Sequence, residues 1–273
     1  MRSIAKLMKD WQFTGPDGVT TAVELPHTWN ARDGQDGGND YWRGCCTYCT
    51  RFAAPVYDPA QQQVWLQFEG VNASATVLLN GQQLCTHDGG YSTFRAEVTE
   101  LLQAENQLTV RVDNSVNDRV YPQKADFTFY GGIYRDVSLL VVNKDHIALG
   151  HFGDTGVKIT PALQENSADI QVETLVEGEG TVAVELLDAE GRTVAKGEGE
   201  NAFLHLDAPH LWNGVKDPYL YTCVVRLLQD GQPVDEVTTR VGLRSFSVDA
   251  MCAACPSSCS PSAPARRRAR RPA

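Results

Sequence analysis

The chain has 273 residues and a formal net charge of −10, with a sequence isoelectric point near 5.1. This length corresponds to about one to three domains, and a chain of this size buries roughly three-quarters of its unfolded surface. The acidic balance argues against nucleic-acid binding, which requires a basic field. No apolar run approaches the ~20 residues of a membrane span and the first ten residues lack the apolar stretch of a secretory signal, so we expect a cytoplasmic protein with no membrane partner.

The charge is unevenly distributed along the chain. Residues 251–273 contain five Arg and no Lys, Asp or Glu, which leaves 19 basic and 34 acidic residues, a net charge of −15, on residues 1–250. The remainder of this tail is Ala, Pro, Ser, Cys and one Met, so it cannot build a core and is predicted to be disordered. Its three cysteines have no nearby His and no surrounding fold, and we predict no metal site there or elsewhere.

Short alternating strands separated by turns dominate the pattern from residue 64 onward. In the first strand Val64, Leu66 and Phe68 share one face, and Asn80-Gly81 favours a type I′ hairpin turn after the second. The predicted strands of this first series are 64–69, 75–79, 108–112 and 137–142. Those of the second series are 168–175, 181–186, 220–226 and 236–241. Helical periodicity is weak, with at best one turn at 98–102.

Strands of this length with frequent turns are typical of β-sandwiches or barrels. We therefore predict an all-β fold, with a jelly-roll-like β-sandwich over residues 1–143, an immunoglobulin-like β-sandwich over 144–249 and a disordered basic tail over 250–273. The pattern alone does not give a function, because one β-sandwich architecture serves many functions.

A family resemblance lies in short strings spread in order over residues 10–249. In the first series these are LPHTWN at 25–30, GGNDY at 37–41, FEGVNA at 68–73, LNG at 79–81, HDGGYSTF at 87–94 and GGIYRDV at 131–137. In the second they are PHLW at 209–212, PYLY at 218–221 and VGLRSF at 241–246. The first set resembles the galactose-binding-like, sugar-binding domain of glycoside hydrolase family 2, the β-galactosidase and β-glucuronidase family. The second set resembles the immunoglobulin-like domain of the same family.

The resemblance implies retaining hydrolysis of a β-linked galactoside or glucuronide by two glutamates, with no cofactor. Such a pair must lie only ~5–5.5 Å apart. In the family both glutamates belong to a (β/α)8 barrel that follows the immunoglobulin-like domain, and a barrel needs about 250 residues. Only the 23-residue tail follows here, so we predict no catalytic residue in this chain and no activity of the chain alone. An absent barrel or a second copy of the chain is then an expected partner.

Two polar residues are implied as sugar contacts. The resemblance points to Asp126, which precedes the string FTFYGG, and to Asn39 within GGNDY. A carboxylate and an amide can each bind two sugar hydroxyls. The alternative for both is a loop residue that caps a turn.

The tail leaves three readings open for the whole chain. We expect a frameshifted or prematurely ended glycosidase gene, because Cys, Pro, Ser, Ala and Arg replace the aliphatic-aromatic strand that follows in the family. A genuine basic tail that binds an acidic partner and a gene-model error are the alternatives. In function, a stand-alone carbohydrate-binding module and a fragment that complements a separately encoded barrel compete with the truncated hydrolase.

Several other residues are predicted to be structural. His27 is expected in a structural loop, the His87-Asp88 pair is expected to serve a tight turn rather than catalysis, and Arg135-Asp136 is expected to form a partly buried ion pair. Packing is also favoured over sugar stacking for a set of aromatic residues: Trp29, Trp42, Trp65, Tyr91, Trp212 and Tyr221. The cysteines before the tail are predicted to be small buried thiols without disulfides: Cys45, Cys46, Cys49, Cys85 and Cys223.

Overall fold

The computed structural model describes residues 1–31, 41–122 and 128–246, and its two compact units meet between Asp154 and Thr155. The sequence-based boundary was placed at 143. The segment up to residue 154 belongs to the first unit because the Arg95 guanidinium holds it there. Nη1 of Arg95 donates to the carbonyl oxygens of Leu149 at 2.9 Å and Asp154 at 2.7 Å.

The first unit is built from short antiparallel strands and one turn of 3-10 helix. Its described strands are β1 (Ser3–Lys6), β2 (Trp11–Thr14), β3 (Thr20–Val23), β4 (Cys45–Ala53), β5 (Gln62–Phe68), β6 (Val71–Asn72), β7 (Ser74–Leu79), β8 (Gln82–Asp88), β9 (Phe94–Glu97), β10 (Glu105–Asp113), β11 (Gly132–Ile133), β12 (Val137–Asn143) and β13 (His146–Ile147). The 3-10 turn is Thr99–Leu101, inside the single turn that the sequence allowed.

Two sheets of this unit face each other across one core. The strand order is β1-β12-β5-β9 in one sheet and β3-β2-β4-β10-β7-β8 in the other, and β6 pairs with β11 beside them. The alternation of buried and more accessible residues along β5, β7 and β10 explains why the two sheets face each other. Side chains at every second position of a strand lie on one face, and here that face is buried. The largest fully buried side chains of the two sheets include Trp11, Tyr48, Leu66, Phe68, Leu79 and Leu108. This is the β-sandwich that the sequence predicted.

The hairpin between β7 and β8 turns where the sequence placed it. Asn80 and Gly81 have φ values of 52° and 84°. Positive φ at both central positions is the requirement of a type I′ turn. The Asn80 side chain also donates from Nδ2 to the Leu101 carbonyl at 3.1 Å, which fixes the hairpin against the 3-10 turn.

The second unit is a smaller antiparallel sandwich. Its described strands are β14 (Val157–Leu163), β15 (Ser167–Thr174), β16 (Val176–Glu177), β17 (Thr181–Leu187), β18 (Thr193–Glu198), β19 (Asn201–Asp207), β20 (Tyr221–Gln229) and β21 (Gln232–Val241). The order is β14-β15-β19 in one sheet and β18-β17-β20-β21 in the other. Tyr221 is buried in this unit, and Trp212 is half-buried against Gly242.

Trp65 packs within the first unit. Its ring lies on the face of β5 opposite Leu66 and contacts the cluster of Leu140, Val142 and Leu149. The sequence favoured packing for this ring, and the structure shows it packed within the first unit.

The predicted ion pair between Arg135 and Asp136 is wrong. Asp136 pairs with Lys6 Nζ at 2.6 Å, whereas Arg135 donates from Nη1 to the carbonyl oxygens of Glu69 and Tyr91. The two side chains therefore have different partners, and the ion pair of Asp136 is with Lys6 and not with Arg135.

The cysteines are also less uniform than expected. Only Cys46 and Cys223 are buried, while Cys45 is exposed and Cys49 and Cys85 are half-buried. All five are free thiols, as predicted. Burial raises the pKa of Cys46 to about 12 and that of Cys223 to about 11, so both stay protonated at neutral pH.

Within residues 1–31, 41–122 and 128–246, no helix has both the length and the apolar character that crossing a bilayer requires. Over the same ranges, no three His, Cys, Asp or Glu side chains gather in a way that would bind a metal ion.

The outer face of the second unit provides a pH-dependent test of this fold. His205 Nδ1 lies 2.6 Å from Asp169 and Nε2 lies 3.3 Å from Asp207, and hydrogen bonding to Asp169 and then Asp207 raises the histidine pKa above its ordinary value. A raised folded-state pKa gives stability that is fully present below the unfolded pKa and is lost as pH rises through the folded pKa. We expect NMR titration of the His205 ring to give a pKa above 6.5, and Asp169→Asn to lower it.

Glu173→Gln is the matched control for this titration, because Glu173 lies on the same strand and face but pairs with Lys158. It should leave the His205 pKa unchanged. Equal pKa values in the wild-type and Asp169→Asn chains would contradict the pairing.

Candidate functional site

A buried asparagine amide organises one end of the first unit. Asn30 is fully buried, and its Nδ2 donates to the Trp42 carbonyl at 2.8 Å. Its Oδ1 accepts from the Gly131 N–H at 2.7 Å and from Asn114 Nδ2 at 3.1 Å. One side chain therefore joins three chain segments that are far apart in sequence.

Asn114 extends this network to two further backbone groups. It is 2% exposed, its Oδ1 accepts from the Gly44 N–H at 2.9 Å, and its Nδ2 also donates to the Phe129 carbonyl at 3.2 Å. Asn114 directly follows β10, so the sheet fixes the position of its backbone. Buried polar groups that are all hydrogen-bonded rigidify the site they share.

Two glycines allow the chain to pass through this network. A Cβ on Gly131 would lie 2.1 Å from a Trp29 ring carbon, and a Cβ on Gly132 would lie 2.4 Å from the His27 carbonyl oxygen. Gly132 also has φ +138°, a conformation that L side chains rarely adopt. The Thr28 hydroxyl then donates to the Gly131 carbonyl at 2.8 Å. The Gly-Gly pair is therefore required by close backbone approach.

Both predicted sugar contacts, Asn39 and Asp126, lie outside the described residues, so their roles stay predictions. The described residues that flank their segments do meet. Asn30 and Trp42 stand on either side of residues 32–40, and Gly131 follows residues 123–127 closely in sequence. Since Asn30 is hydrogen-bonded to both Trp42 and Gly131, these described neighbours of the two segments lie at the same end of the unit.

A narrow cleft opens beside the asparagine network. It has a volume of about 10 Å³, and the residues that line it include Arg43, Asn72, Asn114, Tyr91, Tyr121 and Phe129. That volume admits one water-sized polar group. Asn72 is 3% exposed and its Nδ2 donates to the Tyr130 carbonyl at 2.7 Å, which holds the wall of the cleft in place.

Aromatic side chains are concentrated around the same cleft. Among the described tyrosines and tryptophans, the exposed ones are Trp42, Tyr91, Tyr121 and Tyr130, at 39%, 52%, 73% and 43%. Trp29, in contrast, packs on the core with its ring 6.0 Å from those of Phe13 and Trp42. The prediction of packing is therefore confirmed for Trp29, while Trp42 and Tyr91 face solvent. Tyr and Trp suit a binding surface because one end is apolar and the other can hydrogen-bond.

The histidines near this end have structural partners. His27 Nδ1 lies 2.7 Å from the Tyr48 hydroxyl, and burial lowers the His27 pKa, which favours a neutral ring. His87 Nε2 lies 3.1 Å from the Gly89 carbonyl oxygen and 3.1 Å from Ser92 Oγ, and burial lowers its pKa as well.

Asp88 is turned away from the neighbouring histidine. Its carboxylate accepts from Ser74 Oγ at 2.5 Å and pairs with Arg119 Nε at 2.9 Å. The hydrogen-bond partners of the carboxylate are thus Ser74 and Arg119, whereas a catalytic dyad requires it to orient the His87 ring.

Sequence reasoning missed most of the residues that build this end. Asn30 and Arg43 were not singled out, and neither were Asn114, Tyr121 and Tyr130. Two of these residues lie in strings that carry the family resemblance, namely Asn30 at the end of LPHTWN and Tyr130 within FTFYGG. Roles of this kind depend on contacts across some 80 to 100 residues, such as the Asn30 bonds to Asn114 and Gly131.

Removal of the Asn30 amide should destabilise the first unit. Asn30→Ala leaves the Gly131 N–H and the Trp42 carbonyl without this partner, and each unsatisfied buried group costs about 1–3 kcal/mol. We expect the free energy of unfolding of the first unit to fall by roughly 2–5 kcal/mol. Urea unfolding followed by tryptophan fluorescence measures this, since four of the five tryptophans lie in the first unit.

Gln12→Ala is the matched amide control, because Gln12 is an exposed residue of β2 in the same unit. Its effect should stay within about 0.5 kcal/mol. An equally small effect for Asn30→Ala would contradict the central role of the network.

Two family models match consecutive parts of the chain. The one described as "Glycosyl hydrolase 2 galactose-binding domain-like" matches residues 39–162, and the one described as "Glycosyl hydrolases family 2" matches residues 151–244. The first match includes Asn114 and Gly131 of the asparagine network but begins after Asn30. The second covers the smaller sandwich.

Individual relatives agree with these matches. A β-glucuronidase of Bacteroides fragilis is 33% identical over 266 residues, which cover 89% of this chain and 38% of that protein. A β-galactosidase of Bacteroides ovatus is 30% identical over 282 residues, covering 88% of this chain and 31% of that protein. The chain thus spans about a third of the length of these curated relatives.

A solved structure supports the same assignment. The crystal structure of an FMN-binding β-glucuronidase from Faecalibacterium prausnitzii L2-6 superposes with a TM-score of 0.85 at 36% identity, covering 91% of this chain and 40% of that one. The agreement extends over both units of the fold taken from the sequence.

Proposed function

The chain belongs to glycosyl hydrolase family 2 through these two domains, and on this basis we propose that it is the non-catalytic β-sandwich part of a β-glycosidase acting on β-glucuronides or β-galactosides. The observation that carries the proposal is the consecutive match of both family models over residues 39–162 and 151–244. The substrate kind is supported by relatives of both names at 33% and 30% identity.

The chemistry of retaining hydrolysis supports a non-catalytic role for the two sandwiches. Two carboxyl groups must flank the scissile bond, one as acid/base and one as nucleophile. The resemblance to the family places both in a barrel of about 250 residues, which is separate from the two sandwiches. The role left to this chain is to contribute one wall of the sugar site, with Asn39 and Asp126 as hydrogen-bonding groups for sugar hydroxyls.

Sugar binding without turnover is the second candidate function. It is favoured by the position of the exposed Tyr and Trp side chains, which among the described residues all lie at the end built by Asn30 and Asn114. Under this candidate the chain binds a sugar with measurable affinity in the absence of any barrel.

The purified 273-residue chain should not hydrolyse 4-nitrophenyl β-D-glucuronide or 4-nitrophenyl β-D-galactoside above a protein-free blank. Substitution of residues 1–246 for the matching residues of the Bacteroides fragilis β-glucuronidase should give an active chimera, because the fold supplies the missing wall. Initial rates of nitrophenol release measure both outcomes.

The Bacteroides fragilis enzyme deprived of its matching residues is the control, and its activity should be at least tenfold below that of the chimera. Hydrolysis by the purified chain would refute the non-catalytic role. A folded chimera without activity on either substrate would refute the assignment to a glycosidase.

A further inference from the structure

The sequence contains two Asn-Gly pairs, Asn80-Gly81 and Asn213-Gly214. Asparagine is chemically labile, and a following glycine has no side chain to shield its backbone nitrogen from the asparagine amide. Both pairs lie in tight turns, with φ +84° at Gly81 and +56° at Gly214. The two asparagine side chains nevertheless have different surroundings.

The Asn80 side chain is held by three hydrogen bonds. Its Nδ2 donates to the Leu101 carbonyl at 3.1 Å and to Asn106 Oδ1 at 3.0 Å, and its Oδ1 accepts from the Gln107 N–H at 2.9 Å. Asn106 is 2% exposed, and both polar atoms of its side chain also bond to the backbone of Gln103. Rotation of the Asn80 amide toward the next backbone nitrogen therefore has to break all three bonds.

The Asn213 side chain, in contrast, is exposed and has no hydrogen-bond partner among residues 1–31, 41–122 and 128–246. Its backbone is fixed, since its N–H donates to the Asp217 carbonyl at 2.8 Å and its carbonyl accepts from the Lys216 N–H at 3.2 Å. Positive φ at Gly214 but not at Val215 is the pattern of a type II′ turn. The Asn213 amide can thus rotate while the backbone around it stays in place.

The nitrogen of Gly214 is accessible to this amide. Its N–H has no acceptor in the described part of the chain. The nearest atom to a Cβ built on Gly214 would be a Trp212 ring carbon at 3.7 Å, an ordinary contact distance, so the space beside Gly214 is open. Trp212 itself is anchored, because its N–H donates to the Leu243 carbonyl at 3.0 Å.

We propose that Asn213 is a site of spontaneous deamidation, whereas Asn80 is protected from the same reaction by its hydrogen bonds. The Gly214 amide nitrogen loses its proton and bonds to Asn213 Cγ. The Cγ–Nδ2 bond breaks, and ammonia leaves with that proton. Water then opens the resulting succinimide ring, giving aspartate by attack at Cγ or isoaspartate by attack at the main-chain carbonyl. The reaction consumes only water, so it is independent of the proposed glycosidase role.

The products change the turn in two ways. Either product adds a carboxylate close to Asp217, whose Oδ2 lies 2.7 Å from His210 Nε2. Isoaspartate also adds one carbon to the main chain between Asn213 and Gly214. The hydrogen-bonded backbone groups of Asn213 and Asp217 then lose their register.

Incubation of the purified 273-residue chain in ¹⁸O-enriched water at mildly alkaline pH tests the proposal. The solvent supplies the new oxygen, so deamidation during incubation labels the product, whereas deamidation during later digestion in ordinary water does not. We expect peptide mass spectrometry to show that Asn213 reacts at least tenfold faster than Asn80. The Asn213 rate should rise with pH, because the attacking nitrogen has to lose its proton.

The unfolded chain is the matched control. Concentrated urea removes the hydrogen bonds of Asn80, so the two sites should then react at rates that agree within threefold. In the folded chain, Asn106→Ala removes one acceptor of the Asn80 amide and should raise the Asn80 rate. Thermal unfolding of this variant establishes that the first unit is folded.

Two substitutions in the turn test the chemistry itself. Gly214→Ala places a methyl group beside the attacking nitrogen and should slow the reaction of Asn213 at least tenfold. Asn213→Gln should remove the label from this position, because the longer side chain cannot form the five-membered ring.

Several results would overturn the proposal. These are equal rates at the two sites of the folded chain, a faster reaction at Asn80, or no reaction of Asn213 under conditions that convert it in urea. A rate at Asn213 that Gly214→Ala leaves unchanged would exclude attack by the Gly214 nitrogen.

Discussion

The Asn30 amide is the interaction on which the candidate site depends. It is fully buried and uses both of its polar atoms on backbone and side-chain partners from three segments. Burial makes these hydrogen bonds strong and makes any unpaired member costly, so the network permits one arrangement of the end of the sandwich. The cleft, the exposed aromatic rings and the flanks of both predicted sugar-binding segments take their positions from it.

Apolar side chains hold the two sheets together, whereas polar groups build the candidate site. Alternating apolar residues in β5, β7 and β10 bury the core and place Asn114 at the end of β10. Gly131 then allows the chain to approach Trp29 and Asn30 closely, which any side chain would prevent. The result is a rigid scaffold with its chemistry on the connecting segments, a usual arrangement for binding surfaces.

The strands that the sequence predicted include β5, β7 and β10, which alternate between buried and more accessible residues, and β12, which is buried almost throughout. Strand β1 was missed because all four of its residues are exposed and carry no alternation. The ion-pair partner of Asp136 was missed because Lys6 lies 130 residues away in the chain. The family resemblance supplied the domain types, whereas Asn30 and Asn114 acquire their roles from contacts between distant segments, which a one-dimensional pattern does not encode.

The position of β12 also determines when β1 and β5 can pair with it during synthesis. This strand lies between β1 and β5, and Ser3 of β1 is paired with Val141. At translation speeds of about 5–20 residues per second, the first strand waits on the order of ten seconds for its partner. During that interval β5 also lacks one neighbour, and its open backbone edge is a site for chaperone binding or for pairing with another nascent chain. An expression fragment that ends before residue 137, and therefore lacks β12, would keep both edges open permanently.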